Sequence, residues 1–118
     1  ADLHAVLDLD CLKDLRRTAR TVRVEEMVRR YMTRIVRATR SMREISLGAS
    51  PRAAVMLMNA AQACAVLAGR AFVTPDDVKA MALPVLRHRV VLLPEVEVEG
   101  RTSDDCVGQL ITQVPVPR

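Results

Sequence analysis

"LGASPRAAVMLMNAAQACAVLAG", residues 47–69, decides how this chain is read. Ser50 stands where a helix N-cap belongs, and Pro51 fits the first helical position, where its missing amide hydrogen would have no partner anyway. Residues 53–68 are apolar nearly all round, and their many alanines let neighbouring helices come close, so the segment predicts a central, buried helix. Gly69 is expected to stop it and Gly48 to supply backbone angles that other residues resist. Residues 53–69 are Ala-rich, broken by Asn59 and Gln62, and shorter than the roughly 20 residues a membrane span needs. Arg52 is the anomaly. It falls in the first turn, where the unpaired amides and the helix dipole favour an anion. A cation there makes sense if a phosphate comes to it, and equally as a surface arginine tolerated at small cost.

Downstream, "RAFVTPDDV" (70–78) spells a helix start, with Thr74 as cap, Pro75 in first place and Asp77 at the capping-box offset. The helix should bury Val78, Met81, Ala82, Val85 and Leu86, and Pro84 should kink or restart it. In "RVVLLPEVEVEG" (89–100) helical spacing gives way to alternation, which predicts an extended arm or short strand near residues 89–99. Ser103, with Asp104 and Asp105, is expected to open a last short helix carrying Val107, Leu110, Ile111 and Val114.

Upstream, Leu12, Leu15 and Ala19 recur at helical spacing behind Asp8 or Asp10, predicting a short amphipathic helix. "TVRV" interrupts it. From Glu25 on, Met27, Val28, Tyr31, Met32, Ile35, Val36, Thr39 and Met42 mark one stripe, and Arg29, Arg30, Thr33, Arg34 and Arg37 lie largely off it, as on a solvated face. The fold class expected is mainly α: a small helical bundle.

The totals set bounds. The chain has 118 residues, enough for one domain and one core, and a formal net charge of +4 that permits a polyanion partner without requiring one. Cys11, Cys64 and Cys106 are far apart and form no CxxC pair, which argues against zinc and disulfides and fits a reducing cytoplasm. Tyr31 and Phe72 alone supply aromatic rings, too few for stacking single-stranded nucleic acid. There is no GxxxxGK[ST], GxGxxG or HExxH motif, and neither His4 nor His88 has an acid partner at fixed spacing. Asp76 and Asp77 are adjacent on a helix and point apart, so capping accounts for them better than paired-carboxylate catalysis does. The sequence lacks a secretory signal pattern and opens on Ala1, and reads as a fragment of something longer.

"YMTRIVRATR", then "LGASPRAA", then "LAGRAFVTPDDVKAMALPVLRHRV" together resemble the C-terminal lid domain of MoxR-type AAA+ ATPases, with the similarity running from about Val24 to Pro117. The resemblance implies a small helical domain that follows a nucleotide-binding core and folds over bound ATP. The arginine of the family's SPRA segment is the sensor 2 residue, which maps onto Arg52, with Ser50 and Pro51 supporting it. Thr39, Arg40, Arg87, His88 and Arg89 match recurrent family positions, and contact with the core or a neighbouring subunit is expected of Arg40, Arg87, His88 and Arg89. ATP and Mg are implied for the intact protein and neither for the isolated domain. No catalytic residue and no metal site is expected within this chain. The partners implied are the protein's own upstream AAA+ core, adjacent subunits of a hexameric ring and von Willebrand factor A-domain proteins, with a chaperone-like role in the cytoplasm. Nucleic acid is not expected.

The domain expected is thus a single lid over residues 1–118: a leading helix and connection (1–23), a bundle core (24–93), and an arm with a final helix (94–118). Two competing readings differ in class. "VTPDDV" ahead of a short helix also resembles the histone fold, which would make the chain a basic nucleic-acid-binding module. Against this, the arginines concentrate on residues 16–43, and the central helix is too apolar to present a DNA-binding face. The other is an adaptor bundle in which Arg52 is incidental.

Overall fold

A computed structural model describes residues 3–117; Ala1, Asp2 and Arg118, the ends of the expected domain, lie outside the described residues. The order is α1 (Leu9–Thr21), α2 (Glu26–Ser41), β1 (Ile45–Leu47), α3 (Pro51–Leu67), α4 (Pro75–Leu86), β2 (Val91–Leu92), α5 (Pro94–Val98) and α6 (Ser103–Gln113). The bundle is flat, 48 × 43 × 20 Å. α3 lies at its centre, against α1, α2 and α4.

α2 turns the expected stripe inward: Val28, Tyr31, Met32, Ile35, Val36 and Thr39 are buried. Met27, at the edge of the stripe, stays 47 % exposed. α3 meets this face with Ala53, Leu57, Ala61, Gln62 and Ala65, the alanines setting the close approach. α4 adds Val78, Ala82 and Leu86 at four-residue intervals, and α6 adds Cys106, Val107 and Leu110. Each large side chain sealed in this way contributes roughly 1.5–3 kcal/mol. Gln62 is the polar member of the α3 face, and its Nε2 donates to Val22 O at 2.9 Å. That bond fixes the "TVRV" connection, which also forms an isolated parallel bridge with the segment before α4: Arg23 N donates to Ala71 O and Val73 N to Arg23 O, at 3.1 and 2.9 Å.

α1 is capped by Asp8, whose Oδ1 accepts from Cys11 N at 2.7 Å, but this helix buries none of its residues. Leu12 and Leu15 remain 44 % and 37 % exposed and Ala19 is half-buried, so α1 lies against α3 with much of its apolar side uncovered.

Several local expectations are corrected. Gly48 does not take a left-handed conformation; positive φ occurs at Gly69 (75°) and Gly100 (87°). It is needed for closeness, because a Cβ there would stand 2.7 Å from the Arg40 N, Cα and Cγ atoms. Ser50 occupies the N-cap of α3, yet its hydroxyl makes no capping bond. α4 runs unbroken through Pro84. The proline falls in its last turn, so one lost backbone bond leaves the packed part of the helix intact. The expected arm divides. Val91–Leu92 pairs antiparallel with β1, Ile45 opposite Leu92, whereas 94–98 is the helix α5. Pro94 presets its first turn and Gly100 closes it, Gly100 N donating to Glu97 O and Arg101 N to Val96 O. The cap of α6 is Thr102, one residue before the one expected. Its Oγ1 accepts from Asp105 N at 3.1 Å while Asp105 Oδ2 accepts from Thr102 N at 2.9 Å.

Candidate functional site

The turn that delivers Arg52 is held by two consecutive residues of α2. Thr39 is fully buried; its Oγ1 donates to Val36 O at 2.6 Å and accepts from Ala49 N at 2.9 Å. Arg40 Nε donates to Ala49 O at 2.9 Å. Both polar backbone groups of the buried Ala49 are therefore satisfied by side chains of α2, and Gly48 lets the chain lie directly on Arg40. This clamp, and not a Ser50 capping bond, fixes the turn ahead of α3. Ser50 and Pro51 are exposed and complete the turn through the backbone, with Ala53 N donating to Ser50 O at 2.9 Å.

Arg52 follows directly, exposed in the first turn of α3. Among the described residues no carboxylate pairs with it and no hydrogen bond ties its guanidinium down. An exposed guanidinium and the amide end of a 17-residue helix thus share one turn, an arrangement suited to a negatively charged oxygen cluster.

Of the remaining candidates, Arg40 belongs to the clamp, and Arg87, His88 and Arg89 do not join this site. Arg40, expected at a domain or subunit contact, spends its Nε on Ala49. Arg89 Nη1 donates to Val85 O at 2.6 Å, covering the C-terminal end of α4, where a cation is favoured. Arg87 Nε lies 3.3 Å from Asp104 Oδ1 but is too poorly aligned for a hydrogen bond, so the pair is held by charge alone. His88 is exposed in the turn between them. No hydrogen bond or ion pair links these three to Arg52.

A second cluster lies at the other end of α3, where Asp77 does more than cap. Its carboxylate, almost fully buried, takes two hydrogen bonds from Arg70, one from Thr74 N and one from the Cys64 thiol. The Arg70 bonds hold the carboxyl well below the usual carboxylate range, helped by the Thr74 amide and opposed by burial. Burial, and then the bond to Asp77, pushes the Cys64 thiol up. These are structural bonds that join the end of α3 to the start of α4. Among the described residues no three metal-ligating side chains gather, and no helix is long and apolar enough to cross a membrane.

The AAA lid domain family matches residues 37–110, and the chain belongs to that family. More narrowly, it is the lid domain of a MoxR-type AAA+ ATPase. It is 39 % identical over 103 residues, 87 % of its length, to the uncharacterized protein YeaC of Bacillus subtilis (strain 168), of which it covers 32 %. It is 31 % identical over 97 residues, 75 % of its length, to the chaperone MoxR1 of Mycobacterium tuberculosis, covering 26 % of that protein. A 50-residue stretch, 42 % of the chain, is 50 % identical to protein MoxR of Paracoccus denitrificans, covering 15 % of it. A crystal structure of a candidate ATPase from Cytophaga hutchinsonii superimposes with a TM-score of 0.86 at 28 % identity, over 92 % of this chain and 36 % of that one. The chain thus spans about a third or less of the relatives it matches.

Proposed function

We propose that Arg52 is the sensor 2 arginine of this lid, reaching the terminal phosphates of ATP bound in an upstream core domain. The observation that supports this most directly is the free, exposed guanidinium at the start of α3, set on a turn clamped from α2. With the phosphates present, Arg52 holds the lid closed and stabilises charge that shifts during phosphoryl transfer. When they leave, the lid moves as a rigid body, because the Ala49 clamp makes α2 and the start of α3 one unit.

ATP fits these residues in part. One guanidinium and one helix end can meet phosphate oxygens, while the remaining phosphate contacts and the Mg²⁺ ligands fall to the core. The intact protein is read as a chaperone-like ATPase of the cytoplasm, working in a hexameric ring and with von Willebrand factor A-domain partners. The chaperone role leans on MoxR1.

Joining the chain to its upstream core and comparing Arg52→Ala with the parent tests the assignment. Turnover should fall by about 10² in kcat, the cost of removing one donor from a developing oxyanion. Unchanged turnover would remove Arg52 from the nucleotide site.

A further inference from the structure

Where α1 crosses α3 a cleft of about 200 Å³ opens along the seam, lined by Arg16, Ala19 and Arg20 from one helix and Asn59, Gln62 and Ala63 from the other. Arg16 and Arg20 stand at i, i+4 on one side of α1, where like charges repel. Both are exposed, and neither has an acidic partner among the described residues; the nearby Asp14 pairs with Arg17. Gln62 is a separate observation. It is only 7 % exposed, and its Nε2 is committed to Val22 O at 2.9 Å. That bond fixes which way the amide points, and leaves Oε1 as an acceptor with no donor among the described residues. Asn59, one turn earlier and exposed, makes no side-chain hydrogen bond among the described residues.

The cleft therefore has two guanidinium groups on one wall and an open amide oxygen on the other. A ligand that answers both carries a compact anion and a hydrogen-bond donor a few bonds away. Paired guanidinium groups suit phosphate oxygens, and the space is that of roughly six or seven waters at ~30 Å³ each. We infer that this seam binds a small phosphate monoester bearing a neighbouring hydroxyl. Arg16 and Arg20 take the phosphate, the hydroxyl donates to Gln62 Oε1, and Asn59 donates or accepts beside them. A monoester is favoured over the diester of nucleic acid because it carries close to two charges near neutral pH, where a diester carries one. Asn59 lies seven residues beyond Arg52, about 10 Å along α3, and the inference does not depend on the role of Arg52. Since α1 buries none of its own residues, a ligand held from both helices would fasten it to the bundle.

Calorimetric titration of the chain with glycerol 3-phosphate at about 0.15 M ionic strength should show saturable binding at one site. Propyl phosphate, which keeps the phosphate and lacks the hydroxyls, should bind about three- to tenfold more weakly, and dimethyl phosphate more weakly still. This ligand series reads the Gln62 contact without a core substitution. Arg16→Gln with Arg20→Gln, both on the surface, should raise Kd about tenfold or more, and Asn59→Ala about threefold. Lys13→Gln with Arg17→Gln removes the same charge from α1 outside the cleft and should change Kd little, as should Arg52→Ala. Binding should also slow amide exchange along α1. No saturable binding at millimolar ligand would overturn the inference, as would equal affinity for propyl phosphate, or a loss that follows total charge and so is the same for both double variants. Displacement of glycerol 3-phosphate by ATP in the core-joined protein would overturn it too, by making the cleft part of the nucleotide site. Dimethyl phosphate bound equally well, with duplex DNA binding lost in the Arg16 and Arg20 variant, would assign the arginines to nucleic acid instead.

Discussion

Arg70 and Asp77 meet side by side, Nη1 to Oδ2 at 2.5 Å and Nη2 to Oδ1 at 2.6 Å, and the same carboxylate accepts from Thr74 N. One side chain therefore ends the loop after α3 and starts α4. Arg70 is 31 % exposed and Asp77 only 4 %, so the carboxylate is the member that depends on the pair. Water can still reach the arginine. The fork geometry allows both oxygens to be used at once, which a lysine could not do.

Replacing Asp77 by Asn should lower the free energy of unfolding near neutral pH by about 2 kcal/mol, less than the loss of a fully buried pair because Arg70 can turn to solvent. The pH dependence follows from the depressed carboxyl. Its contribution is fully present above the unfolded value of about 3.9 and is lost as pH falls towards the folded one. Urea unfolding at a series of pH values should thus show the parent losing stability more steeply than the variant below about pH 4. Parallel acid limbs would mean that the pair contributes little.

Thr39→Val keeps the volume of a fully buried side chain but removes both bonds of its hydroxyl. Ala49 N, on a residue that is itself buried, would then have no acceptor. The cost should be about 1–3 kcal/mol, and Thr39→Ser should recover most of it. Amide hydrogen exchange at Ala49 should speed up in the valine variant alone. Equal protection in all three proteins would show that the clamp is held by Arg40 and packing, without the hydroxyl.

What the sequence made legible is what neighbours in sequence determine. The α2 stripe, Pro51 at the start of α3, and the Thr74–Asp77 box depend on spacings of three or four residues and were readable directly. The Thr39–Ala49 bond spans ten residues, and Cys64–Asp77 thirteen, across turns whose geometry no local rule gives. From spacing Thr39 could be read as a stripe position, with no role attached to its match to a recurrent family position, and Asp77 only as a cap. In α5 two signals competed. Alternating Val and Glu suggested a strand, but Pro94 and Gly100 delimit a single helical turn that buries Val96 and leaves Val98 out. At α6, adjacent Thr102 and Ser103 both suit a cap, and the acid three residues on, Asp105, selects the threonine.

Arg52 should be a residue that the isolated lid would fold better without. It occupies the first turn of α3, where the helix dipole opposes a cation, and no carboxylate among the described residues offsets it. Arg52→Glu should therefore leave the isolated chain as stable as the parent or more so, by about 0.3–1 kcal/mol, a gain that shrinks as salt screens the dipole. If Arg52 senses phosphate, the same change in the core-joined protein should abolish turnover, since a carboxylate would repel the groups that the guanidinium attracts. Stability and activity then move in opposite directions at one residue, as expected where a side chain is kept for a ligand and not for the fold. Urea unfolding of the isolated lid and ATP turnover of the joined protein measure the two halves. A destabilised lid would mean that the guanidinium makes a folded-state contact, and its loss of activity could then no longer be assigned to the nucleotide.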